Sequence, residues 1–356
     1  MQNLIDLPDS IYFGDIKTNF KSWLDKQEYS SYFLLVDSSS SVYCLPEIQN
    51  IHPDIAWNII EIPRGEQYKT ITTCSIIWEE LFKNGADRHS LLVNLGGGVI
   101  GDMGGFAAGT YMRGIDFVQI PTTLLSMVDA SVGGKVAVDF RLAKNIIGLF
   151  KDPVAVFIDN HWLLTLPNEQ KRSGWAEMLK HTIIADEPNF RKMQNISLYD
   201  IDWDKWIRHS VHIKYKIVQS DPLEKGLRKG LNFGHTIGHA IETYFLEQDT
   251  PKTHGECVAI GMICASYISS KIANLPAKQL TDIVALIKKW YGEIIIPETG
   301  LDKIMAFMNR DKKNRSGQPN FTLINSIGTY IFDQYPSIDL IKESMLFYNN
   351  QIEKKE

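Results

Sequence analysis

Ser90 to Leu95 is a short apolar run that passes without a break into GGGVIGDMGGFAAGTYMRG, and no other stretch narrows the fold as much. A run of that length and composition reads as a buried strand, and helical character follows it, so the glycines stand at a strand-to-helix turn. Gly96, Gly98 and Gly101 fit the spacing GxGxxG in that setting. Glycines there let the backbone turn sharply and approach a pyrophosphate, while the helix amino terminus offers unpaired N–H groups to the anion. The same glycines would also serve a turn that only packs a helix on a sheet. Two features sit awkwardly with a plain dinucleotide fold: the motif arrives about ninety residues into the chain, and no carboxylate closes a following strand where a ribose would be held.

Around that turn the chain alternates. YFLLVDSS from Tyr32, Trp57 to Pro63, Phe117 to Pro121 and Pro153 to Asp159 read as further strands, and their continuous apolar runs imply burial on both faces and hence a parallel sheet. Helical spacing over Ser39 to Ile51 and Thr70 to Asn84 lies between them, which predicts an open, Rossmann-like α/β sheet. From Pro167 the texture changes. Helices are predicted at Gln170 to Asp186, Pro188 to Gln194, Trp203 to Ser220, Gly230 to Glu247, His254 to Ala273, Ala277 to Tyr291, Leu301 to Arg310 and Ile338 to Gln351, with a small hairpin at Asn320 to Phe332. A chain of 356 residues suits two domains, here an α/β domain over 1–166 and an all-α domain with a hairpin over 167–356.

Composition excludes several classes. The 44% hydrophobic and 22% charged fractions are those of a globular protein, and a net charge of -5 argues against general nucleic-acid binding, which needs a basic face. No stretch approaches the length of a membrane span, and the amino terminus lacks the basic start and apolar run of a signal peptide. Cys44, Cys74, Cys257 and Cys264 are scattered, so buried thiols in a reducing cytoplasm are expected, with no nucleic-acid or membrane partner.

Chemistry is concentrated from Leu231 to Met262. His235 and His239 stand four apart in a helical pattern, and His254 follows a polar loop. Three of the nine histidines in so short a stretch, near acidic residues, suggest a divalent metal that accepts nitrogen and oxygen ligands. An HxxxH pair is also the pattern of a polar helix face or a satisfied core pair. Gly234, Gly238 and Gly255 each stand beside a histidine, which suggests close backbone approach to a ligand or a neighbour. Glu177 and Lys180 lie three apart among apolar residues, so a partly buried carboxylate is available to complete the histidine site. Thr122, Thr123, Asp129, Lys135, Lys144 and Asn145 sit among small residues and glycines, a mixture suited to a ligand cradle, although either lysine alone reads as solvated. Lys214, Arg228, Asn232, Lys312 and Lys313 add cations and an amide to the second half.

Taken together, these motifs resemble the 3-dehydroquinate synthases, within the sugar phosphate cyclases. The resemblance runs through RGEQYKT, GGGVIGD, AGTYMRGIDFVQIPTTLLSMVDASVGGK, KNIIGLF, TLP, GWAEMLKH, GLRKGLNFGHTIGHAIE, HGECVAIGM and RDKKN. It implies an amino-terminal domain that binds NAD, a helical domain that supplies one divalent ion per subunit, zinc or cobalt, and an active site in the cleft between them. It implies Glu177, His235 and His254 as metal ligands, with His239 facing the substrate's phosphate end instead. The NAD contacts it implies are Asp37, Glu66, Lys69, Gly97, Gly98, Val99, Asp102, Thr122, Thr123, Lys135, Lys144 and Thr165. For substrate it assigns Lys214 and Arg228 to a carboxylate, and Asp129, Lys180 and Asn232 to hydroxyls. Lys135, Asn145, His239 and one of Lys312 and Lys313 take the phosphate, joined by Arg113 from the partner of a homodimer.

The implied reaction is redox-neutral. NAD oxidises a hydroxyl of 3-deoxy-D-arabino-heptulosonate 7-phosphate, phosphate leaves, the hydride returns, and ring opening and aldol closure give 3-dehydroquinate. The candidate base for the elimination is the phosphate itself. Met127, Val136, Ala137 and Thr182 depart from the family's pattern at positions without an assigned role. The alternatives are a sister cyclase, whose substrate lacks the carboxylate that Lys214 and Arg228 would hold, a metal-dependent alcohol dehydrogenase of the same plan, or a non-catalytic scaffold.

Overall fold

The computed structural model describes residues 7–141, 143–197, 200–248, 251–291, 294–308 and 318–353. The chain forms two compact units, one of Met1–Lys171 with Trp203–Tyr215 and one of Arg172–Asp202 with Lys216–Glu356.

The first unit is built on a six-stranded parallel sheet: β1 (Ile11–Phe13), β2 (Tyr32–Asp37), β3 (Trp57–Ile62), β4 (Leu91–Gly96), β5 (Asp116–Pro121) and β8 (Ala155–Ile158), in the order β1-β8-β5-β4-β2-β3. Every residue of β4 is buried, as a central strand covered on both faces requires. From β2 the chain steps outward to β3 and then returns to the other side of β2 for β4, so the order reverses between these neighbours. Ligands in open α/β sheets bind outside the carboxyl ends of the strands at such a reversal. Asp37 ends one of the two strands and Gly96 the other.

Helix α1 (Ile16–Leu24) follows β1. The single helix expected over Ser39 to Ile51 is two, α2 (Ser38–Tyr43) and α3 (Leu45–Ile51), parted at Cys44 where Pro46 enters the first turn of α3. Helix α4 (Ile71–Lys83) has Thr70 as its cap, and α5 (Gly98–Thr110) carries the glycine run. That run is mostly a packing device. A Cβ on Gly104 would overlap Asn94 of β4, and one on Gly105 or Gly109 would press on Val136 or Leu149. The last two side chains belong to an antiparallel hairpin, β6 (Lys135–Phe140) and β7 (Ala143–Phe150), in the segment read only as a cradle.

Helices α6 (Asn168–Ala185) and α8 (Trp203–Ser220) have residues in both units, and α7 (Glu187–Met193) lies in the second. The second unit continues with α9 (His235–Leu246), α10 (His254–Ile272), α11 (Ala277–Tyr291), α12 (Leu301–Met308), the hairpin β9 (Phe321–Ser326) and β10 (Thr329–Gln334), and α13 (Ile338–Glu353). The helix expected to start at Gly230 starts at His235. A 3-10 turn over Leu227–Asn232 precedes it, and Gly234, at φ +78°, is a left-handed cap that no β-carbon tolerates cheaply. All four cysteines are buried and none forms a disulfide. No helix among the described residues is long and apolar enough to cross a membrane.

Helices α9 and α10 touch through glycine. A Cβ on Gly261 would overlap the Gly234 carbonyl oxygen, and one on Gly255 would overlap the backbone of Ser173 in α6. The glycines flanking the histidines therefore approach neighbouring helices. Gly261→Ala is expected to destabilise the chain by about 3 kcal/mol, the upper end of overpacking costs, because the obstacle is backbone and cannot rotate away. A shift in the urea midpoint at unchanged slope would measure it.

Candidate active site

In the second unit, three helices converge on one carboxylate. Glu177 of α6 is fully buried, and Lys180, one turn on and 1% exposed, donates to its Oε2. Its Oε1 has no hydrogen bond and lies 3.4 Å from His235 Nε2 and 3.6 Å from His254 Nε2. Burial pushes the Glu177 carboxyl up, but Lys180, His235 and His254 outweigh it and hold it well below the usual range. Burial works against charge on His254, yet Glu242 and Glu177 raise its pKa to about 10. The cluster thus favours positive charge at the point where these atoms meet.

The far nitrogens of the two rings are engaged. His235 Nδ1 lies 3.2 Å from the Phe233 carbonyl oxygen, and His254 Nδ1 lies 3.2 Å from Glu242 Oε2. Both rings therefore turn Nε2 toward Glu177. Donor atoms around one tetrahedral zinc-like ion lie about 3.3–3.6 Å apart, which these two separations match, and a nitrogen and carboxylate set suits zinc or cobalt. The residues fit a divalent ion. His239 stands close by, its ring centre 5.1 Å from that of His235, and the ring nitrogens of His235, His239 and His254 gather within 4.8 Å of one another.

Glu242 is the residue that the sequence reading left without a role. It is 6% exposed and seven residues beyond His235, on the same face of α9. That spacing was the available signal. Its meaning depends on where α10 sets His254, which no local pattern carries. Glu242→Gln is expected to weaken zinc affinity by about 10- to 100-fold, as loss of a carboxylate behind a ligating histidine does, and competition with a chromophoric chelator would read it.

The 3-10 turn over Leu227–Asn232 carries two more candidates. Arg228 is 2% exposed and donates through Nη1 to the Pro222 carbonyl at 2.6 Å, and Asn232 Nδ2 donates to Glu224 at 2.7 Å.

In the first unit, several candidates form three clusters of charged and polar side chains. Lys69, buried, donates to Asp102 Oδ2 at 2.5 Å and to Asn145 Oδ1 at 2.6 Å. Burial opposes charge on Lys69 and Asp102 alike: the lysine's pKa is nonetheless raised, chiefly by Asp102, and the aspartate's is raised by the burial. Asn145 has φ +52°, and its N–H donates to Asp139 at 2.7 Å. Nearby in sequence, Lys144 pairs with Glu66 at 3.4 Å. Lys214 donates to the Asp129 carbonyl and, at 2.6 Å, to Asp129 Oδ1.

The glycine turn stands at the carboxyl end of β4. Gly97 caps α5 without a side-chain hydrogen bond, with Gly98 and Val99 in its first turn. Thr122 follows β5 and donates its N–H to the Gly96 carbonyl at 2.9 Å, and Thr123 lies against Gly97. Asp37 caps α2, accepting from the amides of Ser39 and Ser40, each at 2.8 Å. Arg113, Lys135 and Thr165 are exposed. Lys312 and Lys313 lie outside the described residues. Met127, Val136, Ala137 and Thr182 are all buried.

Two family models match consecutive parts of the chain: 3-dehydroquinate synthase N-terminal over residues 59–173 and 3-dehydroquinate synthase C-terminal over residues 174–314. The 3-dehydroquinate synthase of Parabacteroides distasonis is 39% identical over 340 residues, covering 94% of this chain and 96% of that protein. That of Rippkaea orientalis is 40% identical over 330 residues, covering 86% and 88%. Among solved structures, a 2-deoxy-scyllo-inosose synthase complexed with carbaglucose-6-phosphate, NAD+ and Co2+ is 27% identical and superposes with a TM-score of 0.83 over 94% of this chain and 95% of that one. With the models running unbroken from residue 59 to residue 314 and the relatives aligned over most of their length, the chain belongs to the 3-dehydroquinate synthase family.

Proposed function

We propose that the chain converts 3-deoxy-D-arabino-heptulosonate 7-phosphate to 3-dehydroquinate and phosphate, acting as a carbon–oxygen lyase with NAD and one zinc or cobalt ion per chain. The observation that carries the reading is the buried Glu177 Oε1, without a hydrogen bond and facing the Nε2 atoms of His235 and His254. When bound, the ion supplies Lewis-acid polarisation of a substrate oxygen, and NAD supplies reversible hydride transfer.

Glu177, His235 and His254 would hold the ion. His239, beside them, is kept for the phosphate end. Asp37, Gly97, Gly98 and Val99 serve NAD, a role supported by their place at the reversal of strand order, and Thr122 and Thr123, after the neighbouring β5, join them. Glu66, Lys69, Asp102, Lys144 and Thr165 serve it as well. The Lys69–Asp102–Asn145 network ties this set to Asn145, which with Lys135 and one of Lys312 and Lys313 takes the phosphate. Lys214 and Arg228 hold the carboxylate, and Asp129, Lys180 and Asn232 orient hydroxyls. By fixing a dianion and a carboxylate at opposite ends, these groups supply orientation.

The active species is a cytoplasmic homodimer in which Arg113 reaches the partner's site. Exposed Phe140, Ile146 and Phe150 on β6–β7, and Met112 next to Arg113, support an interface there. Phosphate release from 3-deoxy-D-arabino-heptulosonate 7-phosphate tests the whole reading. Release should require both NAD and metal, stop with chelator, and yield 3-dehydroquinate without net NADH. Turnover confined to a phosphorylated sugar lacking the carboxylate would move the chain to a sister cyclase.

A further inference from the structure

Strand β10 is irregular at Asp333. The residue has φ +56°, a left-handed value that strains a non-glycine backbone, and the pairing with β9 shifts register between Ile331 and Gln334. The distortion aims the carboxylate at the Leu227–Asn232 turn. Lys229 Nζ lies 2.9 and 2.7 Å from its two oxygens, and Asn320 Nδ2 donates to Oδ1 at 2.7 Å.

The same hairpin grips that turn at three further points. Thr322 Oγ1 donates to the Lys229 carbonyl at 2.7 Å, Tyr330 OH donates to the Leu227 carbonyl at 2.8 Å, and Gly230 lies so close to the Tyr330 ring that a Cβ would overlap it. A cavity of about 210 Å³ opens beside Lys229, Asn232, Asn320 and Asp333, so these side chains hold the turn there through polar bonds. Lys229 is flanked by Arg228 and, three residues on, Asn232.

We propose that Asp333 is a positioning residue: its strained, bulged carboxylate, paired with Lys229, fixes the turn from which Arg228 and Asn232 meet the substrate. The proposal rests on the reading that those two residues bind substrate. A position serving only the fold would be served better by glycine, which adopts this φ without strain. Retention of strain at a residue that reaches a substrate-binding turn is the pattern of a site held in a working geometry.

The test compares Asp333→Gly, Asp333→Asn and Arg228→Lys in the full chain with NAD and zinc, reading phosphate release against substrate concentration and the thermal midpoint. Asp333→Gly should keep its midpoint within about 2 °C of the parent while KM rises about tenfold or more and kcat changes less. Asp333→Asn keeps an acceptor for Asn320 but loses the negative charge that faces Lys229, and should raise KM as well. Combining Asp333→Asn with Lys229→Met should cost no more than the worse single change, because both remove one interaction. An unchanged KM in both Asp333 variants, whatever their midpoints, overturns the proposal. An unchanged KM in Arg228→Lys instead sinks the assignment of substrate to this turn, a separate failure that the parallel arm identifies.

Discussion

On the proposed ligand set, replacing Glu177 with glutamine is expected to lower turnover by about 10³-fold or more and to abolish binding of the ion, because the change removes that set's one charged oxygen donor and leaves the shape intact. The fold should weaken at the same time. Lys180, 1% exposed, would keep its charge with no carboxylate beside it, and breaking one side of a buried pair costs about 3–5 kcal/mol. The two effects can be parted by adding Lys180→Met. Removing the stranded ammonium should return much of the lost stability, since a buried pair replaced by apolar groups of similar volume is often neutral, yet the ion should stay lost. Metal content after dialysis, the denaturant midpoint and phosphate release are the three readings. A Glu177→Gln variant that kept close to one ion per chain would remove Glu177 from the ligand set and favour the three histidines alone.

How much of this was legible in the sequence depended on whether a local pattern carried the signal. Strands β2, β4, β5 and β8 were visible because burial on both faces writes a continuous apolar run, whereas β3, the edge strand, was visible from its apolar residues although Ile59 and Glu61 are exposed and the two-sided burial expected of it is absent. β1, with three residues, is too short for any run to register, and β7 alternates exposed and half-buried side chains, so AKNIIGLF reads only as part of a ligand cradle although it is a hairpin arm. The glycines of α5 have two meanings that look identical in sequence: Gly97 and Gly98 sit at an uncapped helix start, whereas Gly104, Gly105 and Gly109 admit neighbouring side chains.

In the site, the histidines announced themselves by type and spacing. Their partners did not. Lys69 meets Asp102 and Asn145 across 33 and 76 residues of chain, and His254 meets Glu242 only because Gly234, Gly238 and Gly261 let α9 and α10 touch. The glycines beside the histidines were visible as a cluster, but whether they admitted a ligand or a helix was a question about packing. The clamp at Asp333 was invisible for the same reason, since nothing in TYIFDQ marks its fifth residue as left-handed.

Arg228→Ala is expected to cut kcat/KM on the carboxylated substrate by about 10³-fold, the scale of a lost charge-assisted, two-pronged hydrogen bond of roughly 4 kcal/mol. The Arg228 guanidinium is only 2% exposed, so its direction is set by the groups packed around it. Its backbone N–H is held by Asp221 Oδ2 at 3.1 Å and one arm by the Pro222 carbonyl at 2.6 Å. Those contacts fix its direction, and on the proposed function it also meets a substrate carboxylate. The effect should therefore be selective. A phosphorylated sugar without the carboxylate, turned over poorly by the parent, should lose far less, so the ratio of kcat/KM between the two substrates should collapse toward one. Equal losses on both would mean that Arg228 supports the turn without reading the substrate, and the choice between this activity and that of a sister cyclase would then fall to Lys214 alone.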